Sequence, residues 1–433
     1  MSVLPVTAGD VSLRTRLTSW AKILSAYFTA QTLTQLAGIA AGLLFVNFMP
    51  VREFALYTLA FSVITFFNFV TDLGSTTSLL HFFQRSLKEE EDFQPWYDAV
   101  RSLRRGAFLI GVAGVLLIFP RLAAAKGYGA AEALLVTGGI VLCVWFQIAQ
   151  ALRVLALRLA DRYGASYRAE LAGGLARLLL AAVLVASALL KSWLGVLSAA
   201  AGSAVAAFLA RSAGEGGMAA SIDLRPYRRR VLRYLLPTLP SALYFAIQGP
   251  LTVWLAATFG ATRNIAEVGA LGRLGLLVGI FSSLTGVVFL PRLARVTDDR
   301  LYRRRALQFG ALMALVALTM FAVAAAVPRL FLMLLGTHYA GLDRELLLVV
   351  AGAGVTLLDG YLVSVNLARS WTRWQGLAVA SLVAVQAGLV ALLPLSTTAG
   401  VLTFNLLSGV AALAGQLAIV TIGFTRPRWV HWQ

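Results

Sequence analysis

The chain has 433 residues, of which 59% are hydrophobic and only 13% are charged, and its mean hydropathy is +0.80. A water-soluble core could not bury this much apolar surface, so the composition excludes a soluble globular protein. The formal charge of +18 could suggest nucleic-acid binding, but no long polar segment exists to form a basic soluble domain. The sequence therefore predicts an integral membrane protein that binds no nucleic acid.

Twelve apolar segments are candidates for membrane-spanning helices, since a helix needs about 20 apolar residues to cross the hydrocarbon core. The approximate spans are 23–48, 54–70, 107–119, 133–152, 171–190, 193–210, 235–259, 268–290, 306–327, 346–367, 374–393 and 401–422. The predicted fold class is an all-α membrane protein with about 12 transmembrane helices. The third span is the shortest of the set.

The distribution of basic residues predicts the orientation of these helices. With the N-terminus inside, 28 of the 37 Lys and Arg residues fall on the inner side and 7 on the outer side. Cytoplasmic loops carry such an excess, so both termini are expected in the cytoplasm. The basic total is thus mostly an orientation signal, and contact with anionic lipids is a lesser contribution.

A basic stretch at 211–233 separates the sixth and seventh spans and is interpreted as a cytoplasmic linker. It divides the chain into an N-terminal six-helix lobe, 1–215, and a C-terminal six-helix lobe, 216–433. Each lobe has an even number of crossings, so equivalent helices point the same way. A pseudo-two-fold axis relating the lobes would run along the membrane normal.

Polar stripes run along the first two helices. The stripe on the first consists of Gln31, Gln35, Gly38 and Gly42, and that on the second of Thr58, Thr65, Asn68 and Asp72. Polar groups in hydrocarbon cannot face lipid cheaply, so each stripe faces either a water-filled cavity or a neighbouring helix. Asp72 alternatively lies near the cytoplasmic interface. Both alternatives stay open on the sequence alone.

The seventh helix is rich in residues that interrupt helices. These are Pro237, Pro240, Gly249 and Pro250. Each proline removes a backbone hydrogen bond, so the helix is expected to be kinked or broken and to act as a gate for alternating access, with a static kink as the alternative. Tyr244 and Gln248 would line the cavity beside this gate.

Arg273 lies within the eighth span, where a charge at the bilayer centre costs roughly 2.5–3.5 kcal/mol. The same helix carries a face of small residues, which are Gly269, Gly272, Gly275 and Gly279. One interpretation is that Arg273 binds an anionic group bidentately in a central cavity lined by the first, second, seventh and eighth helices. The other is that it extends to the outer interface. Arg177 presents a weaker version of the same choice.

Asp359 lies near the middle of the tenth span, too deep for its short side chain to reach water along its own stem. It must be protonated, paired or exposed to a wet cavity. Coupling of transport to a proton or sodium ion and a structural hydrogen bond beside Gly360 are equally open.

Four stretches of the chain are similar to those of a known family. They are LYTLAFSVITFFNFVTDLGSTTSLLHFF (56–83), ALRLADRYGASYRAELAGGLARLLLAAVLV (156–185), LRYLLPTLPSALYFAIQGPLTVWLAATFGATRNIAEVGALGRLGLL (232–277) and LLGTHYAGLDRELLLVVAGAG (334–354). They resemble the polysaccharide-biosynthesis flippases of the multidrug/oligosaccharidyl-lipid/polysaccharide exporter superfamily. The resemblance implies a two-lobed flippase that moves undecaprenyl-diphosphate-linked oligosaccharide across the bacterial inner membrane for surface polysaccharide assembly, and the anionic group that Arg273 would bind is then the diphosphate. Polysaccharide polymerase and glycosyltransferases would be its partners, membrane lipids its surroundings, and a monomer its simplest state.

One departure from the superfamily concerns the first helix. The arginine signature of the peptidoglycan-precursor branch is absent, and Gln31 and Gln35 stand there instead, which speaks against lipid II as cargo. A multidrug or cation antiporter of the same superfamily is the rival transporter, although buried arginines suggest an anion.

A membrane-embedded glycan polymerase or ligase is the enzymatic rival. The three histidines are His81, His338 and His431, and they show no metal-ligand spacing. No nucleophile-elbow, phosphate-loop or zinc motif occurs, and the outer loops are short. The sequence predicts a transporter without catalytic residues, metal or cofactor.

Overall fold

The computed structural model describes most of the chain. The described residues are 32–214, 223–236, 239–284, 289, 293, 296, 298–369, 371 and 373–425. Within these ranges the regular elements are helices and no strand occurs, which confirms the all-α prediction.

Fifteen α-helices are named below from the described part of the chain. They are α1 (Thr32–Phe48), α2 (Val51–Asp72), α3 (Ser75–Glu89), α4 (Gln94–Ala124), α5 (Ala130–Leu159), α6 (Tyr163–Ala186), α7 (Ser192–Gly214), α8 (Arg225–Leu235), α9 (Leu239–Phe259), α10 (Thr262–Leu284), α11 (Asp299–Ala326), α12 (Pro328–Leu335), α13 (Asp343–Ala368), α14 (Gln375–Leu392) and α15 (Thr398–Thr425). A 3-10 turn, Thr337–Tyr339, follows α12.

Each of the twelve predicted spans overlaps a helix along most of its described length, and these helices are α1, α2, α4 to α7, α9 to α11 and α13 to α15. Ten stretches of the described chain are helical, long enough and apolar enough to cross a membrane. α1 and α10 are not among the ten, and the spans predicted for them extend beyond the described residues.

The boundaries of the third span were predicted too narrowly. Instead of 107–119, the helix α4 covers Gln94–Ala124. Its first turns are polar and basic, so a hydropathy pattern omits them, although Pro95 in the first turn favours helix initiation there. Pro120 lies inside the helix and does not end it. The short helices α3, α8 and α12 were not predicted.

Packing divides the chain into two compact units. The first contains the described residues up to 41 and from 63 to 246, and the second contains 42–62 and the described residues from 247 onward. The predicted lobe boundary between residues 215 and 216 lies in 215–222, outside the described residues, and stays a prediction.

The predicted linker at 211–233 is in part regular structure. α7 extends to Gly214, and residues from Arg225 onward form α8, which packs on α3 and α4 within the first unit. Its basic residues obscured the helix in the sequence, because they interrupt the apolar pattern that marks a span.

In the first unit, α7 packs along both α5 and α6. The approach of α6 to α7 depends on glycine: a Cβ at Gly173 would lie 2.6 Å from the carbonyl oxygen of Gly202. A Cβ at Gly202 would lie 2.7 Å from the carbonyl oxygen of Gly173 and 2.9 Å from Cβ of Arg177. The two backbones are therefore in direct contact, as small residues allow in membrane helices.

In the second unit, α13 packs against α11 and α15. Two buried tyrosines join α11 to α13: Tyr302 donates a hydrogen bond of 2.7 Å to the carbonyl of Val365, and Tyr361 donates one of 2.5 Å to the carbonyl of Ala306. Buried hydroxyls need such partners, so these bonds set the alignment of the two helices.

We expect Gly202→Val to destabilise the first unit, because the added side chain would push α6 away from α7. Overpacking of this kind costs about 1–3 kcal/mol. Gly138→Val in α5 is the matched control, since a Cβ at Gly138 has no other atom within 4 Å. The purified variants should differ in thermal unfolding temperature, and equal temperatures would contradict the close contact between α6 and α7.

Candidate functional site

Arg273 lies on α10, partly buried within the second unit. Its Cζ atom is 5.6 Å from the ring centroid of Tyr57 and 5.6 Å from that of Phe61, both on α2. A cation within about 6 Å of a ring centroid is attracted by the ring, and the attraction strengthens away from water. The guanidinium is therefore held by two aromatic side chains.

A glycine on α1 makes room for this arginine. A Cβ at Gly42 would lie 3.3 Å from both Cδ and Nη1 of Arg273. Gly38, one turn earlier on the predicted stripe, has no other atom within 4 Å of its Cβ position. The two glycines of the stripe thus have different surroundings, and only Gly42 contacts Arg273 closely.

In the described part of the chain, the small-residue face predicted on α10 allows close helix packing at one position, Gly269. A side chain at Gly269 would collide with Thr58 of α2. A Cβ at Gly272 meets nothing within 4 Å, and one at Gly275 meets only Val349 at 3.9 Å. The side-chain surroundings of Gly279 lie outside the described residues.

Near its start, α10 is joined to α15 by a buried carboxylate that no sequence pattern indicated. Glu267 accepts hydrogen bonds from Arg263 at 2.8 Å and from Thr398 at 2.5 Å, and Asn264 also donates to Thr398 at 3.0 Å. Burial of Tyr339 raises the pKa of its hydroxyl, and the negative charge of Glu267 raises it further. The Tyr339 hydroxyl therefore stays protonated. The network orients the helix that carries Arg273.

Asn68 and Asp72 of the predicted second stripe are bound to neighbouring helices in the first unit. Asn68 donates to the side chain of Gln147 on α5. Asp72 forms an ion pair with the buried Arg104 of α4 and accepts a hydrogen bond of 2.7 Å from Thr76. For these two residues the structure favours contact between helices, and Asp72 is neutralised by its partner.

An open pocket of about 290 Å³ lies in the first unit. Its lining includes Thr76, Gln147, Gln150, Ala151, Val154, Leu155, Arg158 and Glu170. Arg158 and Glu170 form an ion pair of 2.6 Å, so the charged side chains that line the pocket balance each other. None of the predicted cavity residues is among the lining residues.

The remaining cavity candidates of α1 and α6 are partly buried or outside the described chain. Gln35 lies partly buried on α1, and Gln31 falls outside the described residues. Arg177 is partly buried on α6, where its Cβ lies next to Gly202 of α7.

The gate predicted on the seventh span is only partly described. Pro237 lies outside the described residues, as does the side chain of Pro240. α9 is helical through Gly249 and the buried Pro250, so the expected break does not occur there. A kink and a gating role stay predictions.

The polar residues of α9 have neighbours that the sequence did not indicate. Gln248 donates to Gln386 of α14 at 2.8 Å, and Gln386 donates back at 3.1 Å. Tyr244, in the first unit, packs edge-on against Phe245 at 5.4 Å. Gln248 therefore joins two helices through paired amides.

Asp359 lies on α13, partly buried. Its Oδ1 atom is buried and accepts no hydrogen bond from the described residues. A structural hydrogen bond, one of the two interpretations, is thus not seen at this oxygen. In the described part of the chain no group of three or more His, Cys, Asp or Glu side chains is placed to hold a metal ion.

The fold matches those of solved membrane transporters. The lipid II flippase MurJ in an inward closed conformation matches with a TM-score of 0.69 and 13% identity, over 91% of this chain and 87% of that one. An inward-facing multidrug resistance MATE transporter of the MOP superfamily matches with 0.60 and 14%, over 91% and 96%. The eukaryotic MATE transporter AtDTX14 matches with 0.56 and 10%, over 93% and 94%.

These similarities show that the chain has the same fold as these transporters, which confirms the predicted resemblance at the level of fold. No protein-family model and no curated protein sequence matches the chain.

We expect Gly42→Leu to displace the Arg273 guanidinium, because the added atoms would occupy the space of its Cδ and Nη1. The cost of overpacking is about 1–3 kcal/mol, which should lower the unfolding temperature. Gly38→Leu, on the same helix with open space, is the control.

The double variant Gly42→Leu with Arg273→Ala should recover part of the lost stability, since the space vacated by the arginine accommodates the leucine. Strictly additive effects in this double-mutant cycle would contradict the contact between Gly42 and Arg273.

Proposed function

We propose that the protein is a flippase that moves undecaprenyl-diphosphate-linked oligosaccharide across the bacterial inner membrane, by alternating access through a cationic central cavity. The observation that carries this proposal is Arg273, a permanently charged side chain held within an apolar helical unit. The transporter fold supports movement of a substrate over polymerase or ligase chemistry.

The surroundings of Arg273 are compatible with a diphosphate. An aromatic ring attracts the face of a guanidinium, whereas phosphate oxygens accept hydrogen bonds from the N–H groups at its edge. The contacts with Tyr57 and Phe61 are therefore compatible with anion binding through the N–H groups of the same guanidinium. These contacts with α1 and α2 favour a buried site over an interfacial anchor.

A cation antiporter is the second candidate, supported by the MATE transporters that share the fold. Such a transporter requires carboxylates that can bind a cationic substrate. Asp72 is paired with Arg104, and Glu267 is bound by Arg263 and Thr398. These two carboxylates already have partners, which supports an anionic cargo over a cationic one at these two positions.

We expect Arg273→Ala to reduce export of lipid-linked glycan roughly 10- to 100-fold, because loss of a hydrogen bond to a charged group costs about 1.5–3 kcal/mol. Arg273→Lys should restore only part of the activity, since an ammonium keeps the charge but loses the two-pronged geometry. Export is measured in a strain that lacks the native protein, with protein amounts matched.

The control for this series is Arg329→Ala, which removes a charge from an exposed position at the start of α12. It should leave export unchanged. An interfacial anchor tolerates glutamine, so wild-type export by Arg273→Gln would contradict diphosphate binding at this position.

We further propose that Asp359 binds the coupling proton or sodium ion, because its buried Oδ1 atom accepts no hydrogen bond in the described structure. Asp359→Asn should then abolish gradient-driven transport in reconstituted vesicles while the protein stays folded. Asp343→Asn, at the exposed start of the same helix, is the control. Unchanged transport by Asp359→Asn would remove Asp359 from the coupling step.

The proposed cellular setting follows from the cargo. We expect both termini in the cytoplasm, a monomer as the transporting unit, and glycosyltransferases and a polysaccharide polymerase acting before and after the flippase. Genes for such enzymes beside the gene for this chain would support glycan export, and their absence would favour the antiporter.

A further inference from the structure

The helix α8, with the sequence RPYRRRVLRYL, is the most basic helix of the described chain. It contains five arginines and no acidic residue. Neither the cargo nor the transport cycle proposed above accounts for this concentration of charge.

One face of α8 is fixed to the first unit. Val231 and Leu235 are buried. Tyr227 packs edge-on against Trp96 of α4 at 4.9 Å, and Tyr234 stacks on His81 of α3 at 4.7 Å. Aromatic contacts of this geometry each add to the apolar burial, so the helix is held in a defined orientation.

The opposite face of α8 is uncovered and amphipathic. Arg229, Arg230 and Arg233 are exposed, and their side chains form no ion pair within the described part of the chain. Beside this row, Leu232 and Leu236 are 52% and 67% exposed. At 100° per residue, the two leucines lie between the buried face and the arginines.

The position of α8 along the chain places it at the edge of the bilayer. α9, a candidate membrane span, begins at Leu239, four residues after α8 ends at Leu235. Four residues reach at most about 14 Å. The end of α8 therefore lies close to the boundary where a spanning helix leaves the hydrocarbon.

We propose that α8 lies in the membrane interface and that Arg229, Arg230 and Arg233 bind the phosphate groups of anionic phospholipids. Leu232 and Leu236 enter the boundary between headgroups and acyl chains, which gives their exposed surface an apolar environment. A guanidinium matches phosphate oxygens in charge and geometry. An acidic protein partner would satisfy the arginines but would leave the leucines in water.

This lipid site is independent of the transported cargo. By holding α8, the lipids hold the aromatic contacts on α3 and α4 and the start of α9. The site would persist even if the protein moved a cation rather than a lipid-linked glycan, so its test is separate from the transport assays.

Spin labels test the depth of α8 in the full-length protein in phosphatidylglycerol nanodiscs. Labels are placed at Leu232→Cys and Leu236→Cys in a Cys143→Ala background, with Glu90→Cys as an exposed reference. We expect the two α8 labels to be more accessible to oxygen than to a water-soluble nickel complex, and the reference to show the reverse. Labels at 232 and 236 that match the reference would overturn the proposal.

Lipid binding is measured by titrating phosphatidylglycerol onto the detergent-solubilised protein and counting bound lipids by native mass spectrometry. Each basic residue near an anionic surface contributes roughly fivefold in affinity, so Arg229→Gln, Arg230→Gln and Arg233→Gln together should weaken binding on the order of 100-fold. The control removes the same charge from exposed positions elsewhere, with Arg121→Gln, Arg329→Gln and Arg344→Gln.

The control should bind phosphatidylglycerol with an affinity close to that of the wild-type protein. If the α8 variant binds the lipid as tightly as the control, the arginine row is not a phospholipid site. Both variants change only exposed side chains, and equal unfolding temperatures establish that they are folded.

Discussion

A charged guanidinium within an apolar helical unit is the constraint on which the proposed function depends. Placing an arginine at the bilayer centre costs roughly 2.5–3.5 kcal/mol on the most lenient scale. Attraction to the rings of Tyr57 and Phe61 offsets part of the free-energy cost of burying the Arg273 charge, and Gly42 leaves space for its side chain. α10 is in turn fixed by Gly269 against Thr58 and by the buried Glu267. Several contacts of the second unit thus position Arg273 or its helix. An aliphatic residue at this position would avoid the free-energy cost of burying a charge.

In the first unit, the polar side chains described above pair with side chains of neighbouring helices. Asp72 meets Arg104, Asn68 meets Gln147, and α6 meets α7 through glycine backbones. Removing Asp72 would leave the buried Arg104 without its charge partner, so this ion pair helps to align their helices. The basic helix α8 has an exposed face of arginines, whose positive charge anionic phospholipid headgroups would stabilise. The polar contacts described in this unit therefore join its helices to one another, and contact of α8 with phospholipid is our proposal.

The order of the spanning helices could be predicted from sequence because hydropathy is a local property, and each predicted span overlaps a helix. Helix ends were harder to predict from the sequence, because α4 begins with polar turns and α8 is rich in arginine. The contact partners of individual side chains could not be predicted from the sequence. The contact of Arg273 with Gly42 and the amide pair of Gln248 with Gln386 join residues far apart in the chain, and their register depends on tertiary packing. Asp72 was singled out for its charge, but nothing in the sequence indicated that Arg104 neutralises it.

The central claim is that the Arg273 guanidinium binds the diphosphate of the cargo. Its most direct test is a cryo-electron microscopy structure of the protein with a polyprenyl-diphosphate-linked sugar. Our account predicts phosphate density within hydrogen-bonding distance of the Arg273 Nη atoms, with the guanidinium still beside Tyr57 and Phe61. Diphosphate density bound elsewhere, with no phosphate near Arg273, would contradict it.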